Sequence, residues 1–149
     1  MIDRQHHRTI ARLSIEYVAS FLCEGVAESE LDILDFSIIL VVSAGNIGRL
    51  KSTPISAAHD HGEHEAVPPE LMTPTSLRTI EESLKLSPDV ARERLTGLVA
   101  SGVLVEVREG LFITGTPVTS SETAARLADK NAALARRLVK QLSDLSVAA

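Results

Sequence analysis

The densest group of side chains that could do chemistry lies between residues 59 and 65 of the 149-residue chain. Imidazoles and carboxylates follow one another there: His59, Asp60, His61, Glu63, His64 and Glu65. Such groups bind zinc and nickel, which makes His59, His61 and His64 candidate metal ligands. No His-x3-His pair on a predicted helix supports the metal, however. The main expectation is therefore a solvated polar loop without metal, and no other cofactor is expected.

The sequence contains none of the common catalytic patterns. There is no glycine-rich phosphate loop, no Gly-x-Ser-x-Gly turn and no His-Glu-x-x-His pair. The single cysteine, Cys23, excludes an intramolecular disulfide framework and an all-cysteine zinc site. Aromatic residues make up only 3% of the chain, which argues against a sugar-binding cleft or a base-stacking surface. We expect that the chain is not an enzyme.

A second group of chemically capable side chains consists of arginines between residues 78 and 108. Guanidinium groups bind phosphate and guanine, so these side chains are candidates for contacting nucleic acid. The net charge of the chain is −5, but residues 1–75 carry −6, residues 76–119 carry −1 and residues 120–149 carry +2. The overall charge therefore excludes a generally basic coat protein and still permits a locally basic surface.

Two helices are predicted before these arginines. Apolar residues at three- and four-residue spacing predict an amphipathic helix over about 4–24, ending near Gly25. Ser29, with Asp32 three residues later, resembles a capping box and predicts a second, buried helix through about Leu50. Residues 51–75 contain four prolines and are predicted to form a long loop.

The arginines themselves fall on a predicted pair of short helices. Thr75 or Ser76 can cap a helix over Leu77–Leu86. Ser87 then supplies an N-cap, and a proline follows it, for a helix over 88–101. The pattern predicts two helices separated by a tight turn.

A hairpin and a long helix complete the predicted elements. Gly102 ends the second short helix, and two β-type runs, 103–107 and 111–114, predict a hairpin around Arg108-Glu109-Gly110. A last helix over 120–146 is predicted from Thr119 and Glu122, which resemble a capping box.

One seam of this last helix has heptad spacing and is predicted to form a dimer interface. Its residues are Leu127, Asn131, Leu134, Leu138 and Leu145. A polar residue such as Asn131 at an inward position can fix the register of paired helices.

The order of helix, turn, helix, glycine and hairpin over residues 76–114 resembles a winged helix-turn-helix. The residues that carry the resemblance are Ile80, Leu84, Leu86, Ser87, Pro88, Leu95, Leu98, Gly102 and Gly110. With two helices before it and one long helix after it, the chain resembles the MarR-like bacterial transcriptional regulators. Lys85 stands where that family usually has a turn glycine. The resemblance implies a mainly α fold with a small β-hairpin wing, a single domain over 1–149 and flanking dimerisation helices.

The resemblance also implies a function. A homodimer of this kind would read a near-palindromic site in double-stranded DNA with helix 88–101 and wing 103–114. An unidentified small-molecule effector is implied, whereas no membrane partner is expected, because the longest apolar run, Phe36–Ala44, is about half of a spanning helix. The N-terminus shows no signal-peptide pattern, which predicts a cytoplasmic protein.

The residues expected to contact DNA lie on both short helices and the wing. They are Arg78, Ser87, Val90, Arg92, Glu93, Arg94, Thr96 and Arg108. Asp89 and Glu93 place acid on the helix that should meet DNA. A winged helix that binds protein instead of DNA is therefore the alternative.

Overall fold

Helices account for most of the residues that the computed structural model describes, which are 4–48 and 67–147. A small three-stranded antiparallel sheet accompanies them. The elements are α1 (Arg4–Ser29), α2 (Ile33–Ile47), a 3-10 turn (Pro69–Leu71), β1 (Thr75–Ser76), α3 (Leu77–Leu84), α4 (Pro88–Ala100), β2 (Leu104–Arg108), β3 (Leu111–Thr114), α5 (Thr116–Thr119) and α6 (Glu122–Val147). The expectation of a mainly α chain with a small β element is confirmed. The histidines predicted as candidate metal ligands, His59, His61 and His64, lie outside the described residues.

Contacts between Cα atoms divide the chain into two compact units. The helical unit comprises Met1–Glu30 and Arg126–Ala149, and the central unit comprises Leu31–Ala125. The central unit contains α2, α3, α4 and the sheet, so every residue predicted to contact DNA belongs to it.

The core of the central unit lies between α2, the two short helices and the sheet. Its buried side chains are Ile38, Ile39, Val42, Ile80, Leu95, Leu98, Leu104 and Phe112. The strand order is β1-β3-β2, with Thr75 opposite Phe112 and Leu104 opposite Thr114. The two-residue strand β1 was not predicted, because two residues carry no alternating pattern.

Asn46 of α2 joins the helix layer to the sheet. Its side chain is 1% exposed. Nδ2 donates to the carbonyl oxygens of Thr73 at 2.8 Å and Phe112 at 3.2 Å, and Oδ1 accepts from the backbone N–H of Thr114 at 3.0 Å. A buried amide that is satisfied in this way fixes the position of the sheet against α2.

The helical unit pairs α1 with α6 in antiparallel orientation. Lys130 contacts Glu24 at 2.9 Å and Glu28 at 2.6 Å, and Arg126 contacts Glu28 at 3.1 Å. Tyr17 donates a hydrogen bond from its hydroxyl to Oδ1 of Asn131 at 2.7 Å. Residues further along α6 thus contact residues nearer the start of α1, as expected for an antiparallel pair.

Two predicted helix caps are wrong for the same reason. Helix α1 continues through Gly25 to Ser29, whose hydroxyl donates back to the Gly25 carbonyl, so Ser29 does not cap α2. Asp32 caps it instead, by accepting a hydrogen bond from the N–H of Asp35. Here, and at the second wrong cap described next, the segment before the helix is itself helical, so a residue further along the chain supplies the cap.

The second wrong cap is Thr119, which ends the short helix α5. Ser121 accepts a hydrogen bond from the N–H of Ala124 and thereby supplies the cap at the start of α6. In contrast, the predicted caps Ser76 and Ser87 are confirmed, since each hydroxyl accepts from a backbone N–H three residues later.

Candidate nucleic-acid interface

The geometry of α3 and α4 depends on the turn between them. Lys85 follows the last residue of α3 with φ of 55°, in the left-handed region that L-residues enter at a cost. Ser87 then caps α4, and its hydroxyl accepts from the N–H of Val90 at 3.3 Å. Ile80 of α3 and Leu95 of α4 are both buried in the core, so the two helices are fixed against each other.

Helix α4 divides into a buried face and an exposed face. Ala91, Leu95 and Leu98 are buried, which anchors one side of the helix. The residues on the opposite side are exposed: Asp89, Val90, Arg92, Glu93, Thr96 and Gly97. The structure therefore presents the N-terminal half of α4 to solvent, including Val90, Arg92 and Glu93, which were predicted to contact DNA.

Arg92 lies on the side of α4 that faces the hairpin. It lines an open groove together with Thr96 of the same helix and with Glu106 and Glu109 of the hairpin. Within the described part of the chain, the Arg92 guanidinium has no hydrogen bond or ion pair of its own. It is thus available to an external anion, although two carboxylates line the same groove.

Arg94 has partners within the chain. Its guanidinium contacts the carboxylates of Asp32, by Nη1 to Oδ2, and of Asp35 at 3.4 Å, both at the start of α2. The hydrogen bond that Arg94 donates to Asp32 raises the pKa of Arg94. The pKa of Asp32 is lowered by the hydrogen bond that its carboxylate accepts from the Asp35 backbone N–H, and next by the one from Arg94. The Arg94 guanidinium is thus paired within the chain, whereas that of Arg92 is free among the described residues. We therefore leave Arg94 out of the candidate interface.

The remaining two arginines that were predicted to contact DNA, Arg78 and Arg108, lie on α3 and at the end of β2. Arg78 on α3 is 85% exposed and forms an ion pair with Glu82 at 2.8 Å. Exposed pairs of this kind break easily, so Arg78 can exchange its partner for an anion. Arg108 ends β2 and is exposed, next to the turn of the hairpin.

The hairpin turn is held by a side chain that sequence reasoning did not single out. The Glu106 carboxylate accepts a hydrogen bond from the N–H of Gly110 at 3.0 Å, and Gly110 has φ of 73°. The register shifts between Glu106 and Arg108. An acid four residues before a turn glycine is the signal that could have indicated this contact.

The seam that was predicted to form a dimer interface has neighbours within one chain. Leu127, Asn131, Leu134, Leu138 and Leu145 are all half-buried. Asn131 bonds to Tyr17, and Leu134 and Leu138 line the same small cavity as Leu13 of α1. Large apolar side chains that remain exposed in this unit are Ile15 at 68%, Val18 at 51% and Val139 at 62%.

No described helix is long and apolar enough to cross a membrane. Residues 4–48 and 67–147 contain no group of three His, Cys, Asp or Glu side chains arranged to hold a metal ion. Comparison with models of protein families, with curated proteins and with solved structures finds no match.

Proposed function

We propose that the chain is a dimeric DNA-binding transcriptional regulator in which residues 76–114 act as a winged helix-turn-helix. The observation that supports this most strongly is α4. The helix is anchored by three buried residues and capped by Ser87, yet its N-terminal half projects into solvent. An α-helix with its side chains is about as wide as the major groove, so this projecting half has the dimensions of a groove reader.

Each part of the surface has a role in this proposal. Val90 would contact a thymine methyl group, and Arg92 would bind guanine or phosphate. Arg108, at the end of β2, would contact the backbone that flanks the groove. The hydroxyls of Ser87 and Thr96 and the guanidinium of Arg78 would hold the phosphates nearest to α3 and α4.

Dimerisation is proposed from the composition of the helical unit. Among its described residues, Leu13 is the only large apolar residue that is buried. Two helices with so small a core need a further layer, and exposed apolar residues are available to form one. We place the partner copy on the outer faces of α1 and α6, which carry Ile15, Val18 and Val139.

Selection of bound fragments from genomic DNA by the purified full-length chain tests the proposal. We expect recovery of one sequence with two related half-sites about one or more helical turns apart. Arg92→Ala should weaken binding to that sequence by about 1–3 kcal/mol. Arg137→Ala, which removes an exposed arginine of α6 instead, is the matched control and should leave the affinity unchanged.

A protein-binding winged helix is the second candidate. It is favoured by the charges on the exposed surface of α4 and the hairpin, where Asp89, Glu93, Glu106 and Glu109 outnumber the free arginines Arg92 and Arg108. Recovery of no preferred sequence in the selection, at moderate salt and with a folded dimer, would support this candidate over DNA binding. The small-molecule effector stays a prediction from the resemblance.

A further inference from the structure

The two arginines of α4 lie on opposite flanks of its exposed face. Successive residues of an α-helix are rotated by about 100°, so side chains two positions apart point in nearly opposite directions. Arg92 is on the flank beside the hairpin, where it lines the groove with Glu106. Arg94 is on the flank beside α2, where it contacts Asp32 and Asp35.

The flanks of a helix in the major groove face the phosphates, while its central face meets the base edges. On α4 the central face carries Asp89, Val90 and Glu93. A cation on each flank would therefore bind one phosphate wall of the groove, independently of sequence. Only the Arg92 flank offers a free cation among the described residues, because Arg94 is occupied.

The carboxylates of Asp32 and Asp35 hold the Arg94 guanidinium in two ion pairs. Asp35 is 21% exposed and Asp32 52% exposed, and the Arg94 side chain is 35% exposed. Two carboxylates on one guanidinium neutralise more than its single charge. They imitate the oxygens of a phosphate and occupy the donors that a DNA phosphate would use.

We propose that Asp32 and Asp35 withhold Arg94 from DNA phosphates and thereby lower the affinity of the chain for DNA of any sequence. The proposal rests on the proposed function. Withholding one cation per protomer lowers the affinity for any DNA sequence, because counterion release supplies most of non-specific binding. Because the withheld contact is independent of sequence, the affinities for selected and for unrelated DNA fall by the same factor, and binding becomes less dependent on salt.

The test uses the double variant Asp32→Asn/Asp35→Asn. Asparagine caps a helix as well as aspartate does, so α2 keeps its cap while both charges are lost. Binding is measured to a 30-base-pair duplex of unrelated sequence over a series of KCl concentrations. Glu70→Gln/Asp144→Asn is the matched control, since it removes two exposed charges elsewhere and changes the net charge equally.

The double variant should bind the unrelated duplex roughly tenfold more tightly per protomer near 0.1 M salt, and the slope of log K against log salt should steepen by about 0.9 per protomer. Adding Arg94→Gln should return both quantities to those of the parent chain. A double variant that is folded by circular dichroism and behaves like the control would overturn the proposal.

The same titration separates this proposal from the proposed function. If the parent chain prefers its selected sequence while the double variant matches the control, only the role of Asp32 and Asp35 is wrong. If neither the parent chain nor the double variant binds any duplex, both the proposed function and this role are wrong.

Discussion

Asn46 of α2 and Thr114 of β3 are joined by a buried hydrogen bond of 3.0 Å, from the backbone N–H of Thr114 to Oδ1 of Asn46. The same side chain donates to the carbonyl oxygens of Thr73 and Phe112. One amide thus connects α2, the segment before β1 and the inner strand of the sheet. The position of the hairpin beside α4 depends on this connection.

Replacing Asn46 with alanine should therefore destabilise the central unit strongly. The change leaves a buried N–H and two carbonyl groups without their side-chain partner, and each such loss costs about 1–3 kcal/mol. We expect a loss of about 3 kcal/mol in the free energy of unfolding, measured by urea denaturation. Ser43→Ala on the same helix is the control, and equal stability of the two variants would contradict the role given to Asn46.

Lys85→Gly should stabilise the chain. Lys85 has φ of 55°, which costs a side-chain-bearing residue about 1–2 kcal/mol, whereas glycine adopts it freely. Part of that gain is lost to the greater entropy of glycine in the unfolded chain, so we expect a net gain of about 0.5–1 kcal/mol. Lys85→Ala, measured in parallel, should change stability little, and a destabilised glycine variant would count against the assigned conformation.

Acid should weaken the helical unit through Glu28. The hydrogen bonds from Lys130, and next those from Arg126, lower the pKa of Glu28 below its ordinary value of 4.5. A group whose pKa is lowered on folding stabilises the protein above its unfolded pKa, and this contribution is lost as the pH falls through the folded pKa. We therefore expect the stabilising effect of Glu28 to be complete at pH 7 and to decline below about pH 4.5.

The measurement compares urea midpoints at pH 7 and pH 3 for the parent chain and Glu28→Gln. The variant should be less stable at pH 7 and should lose less stability on acidification. Asp129→Asn, which removes an exposed carboxylate of α6, should keep the parent's pH dependence. Parallel pH profiles for the parent and Glu28→Gln would show that this ion cluster does not contribute.

A charge on the outer face of the helical unit should break the proposed dimer. Val18→Glu and Val139→Glu each place a carboxylate at an exposed apolar position. Burying an unpaired charge at an interface costs about 2 kcal/mol or more. We expect the dimer dissociation constant to rise at least about 30-fold in analytical ultracentrifugation. Val105→Glu, on the 42% exposed Val105 of the hairpin, is the control.

Local signals predicted the central part of this fold well. The hydroxyls of Ser76 and Ser87 act as caps, and Gly102 and Gly110 have positive φ where the pattern placed a helix end and a turn. Each of these features depends on residues within about four positions, so the sequence contains the necessary information.

Features that depend on distant residues could not be predicted in the same way. Arg94 pairs with Asp32 and Asp35, which lie 62 and 59 positions away in the sequence. Nothing near Arg94 distinguishes it from Arg92, and the sequence therefore assigned both to DNA. The seam around Asn131 shows the same limit, because heptad spacing predicts a partner helix but does not say that α1 of the same chain supplies it.

Fluorescence anisotropy measures whether α4 reads DNA sequence. The purified chain is titrated against its selected duplex and a shuffled duplex of equal composition, in about 0.15 M salt. We expect at least about a thousandfold preference for the selected duplex, with Arg92→Ala losing most of the affinity for it. Equal affinity for both duplexes, or an Arg92→Ala variant that binds the selected duplex as tightly as the parent chain, would show that α4 does not read DNA in this way.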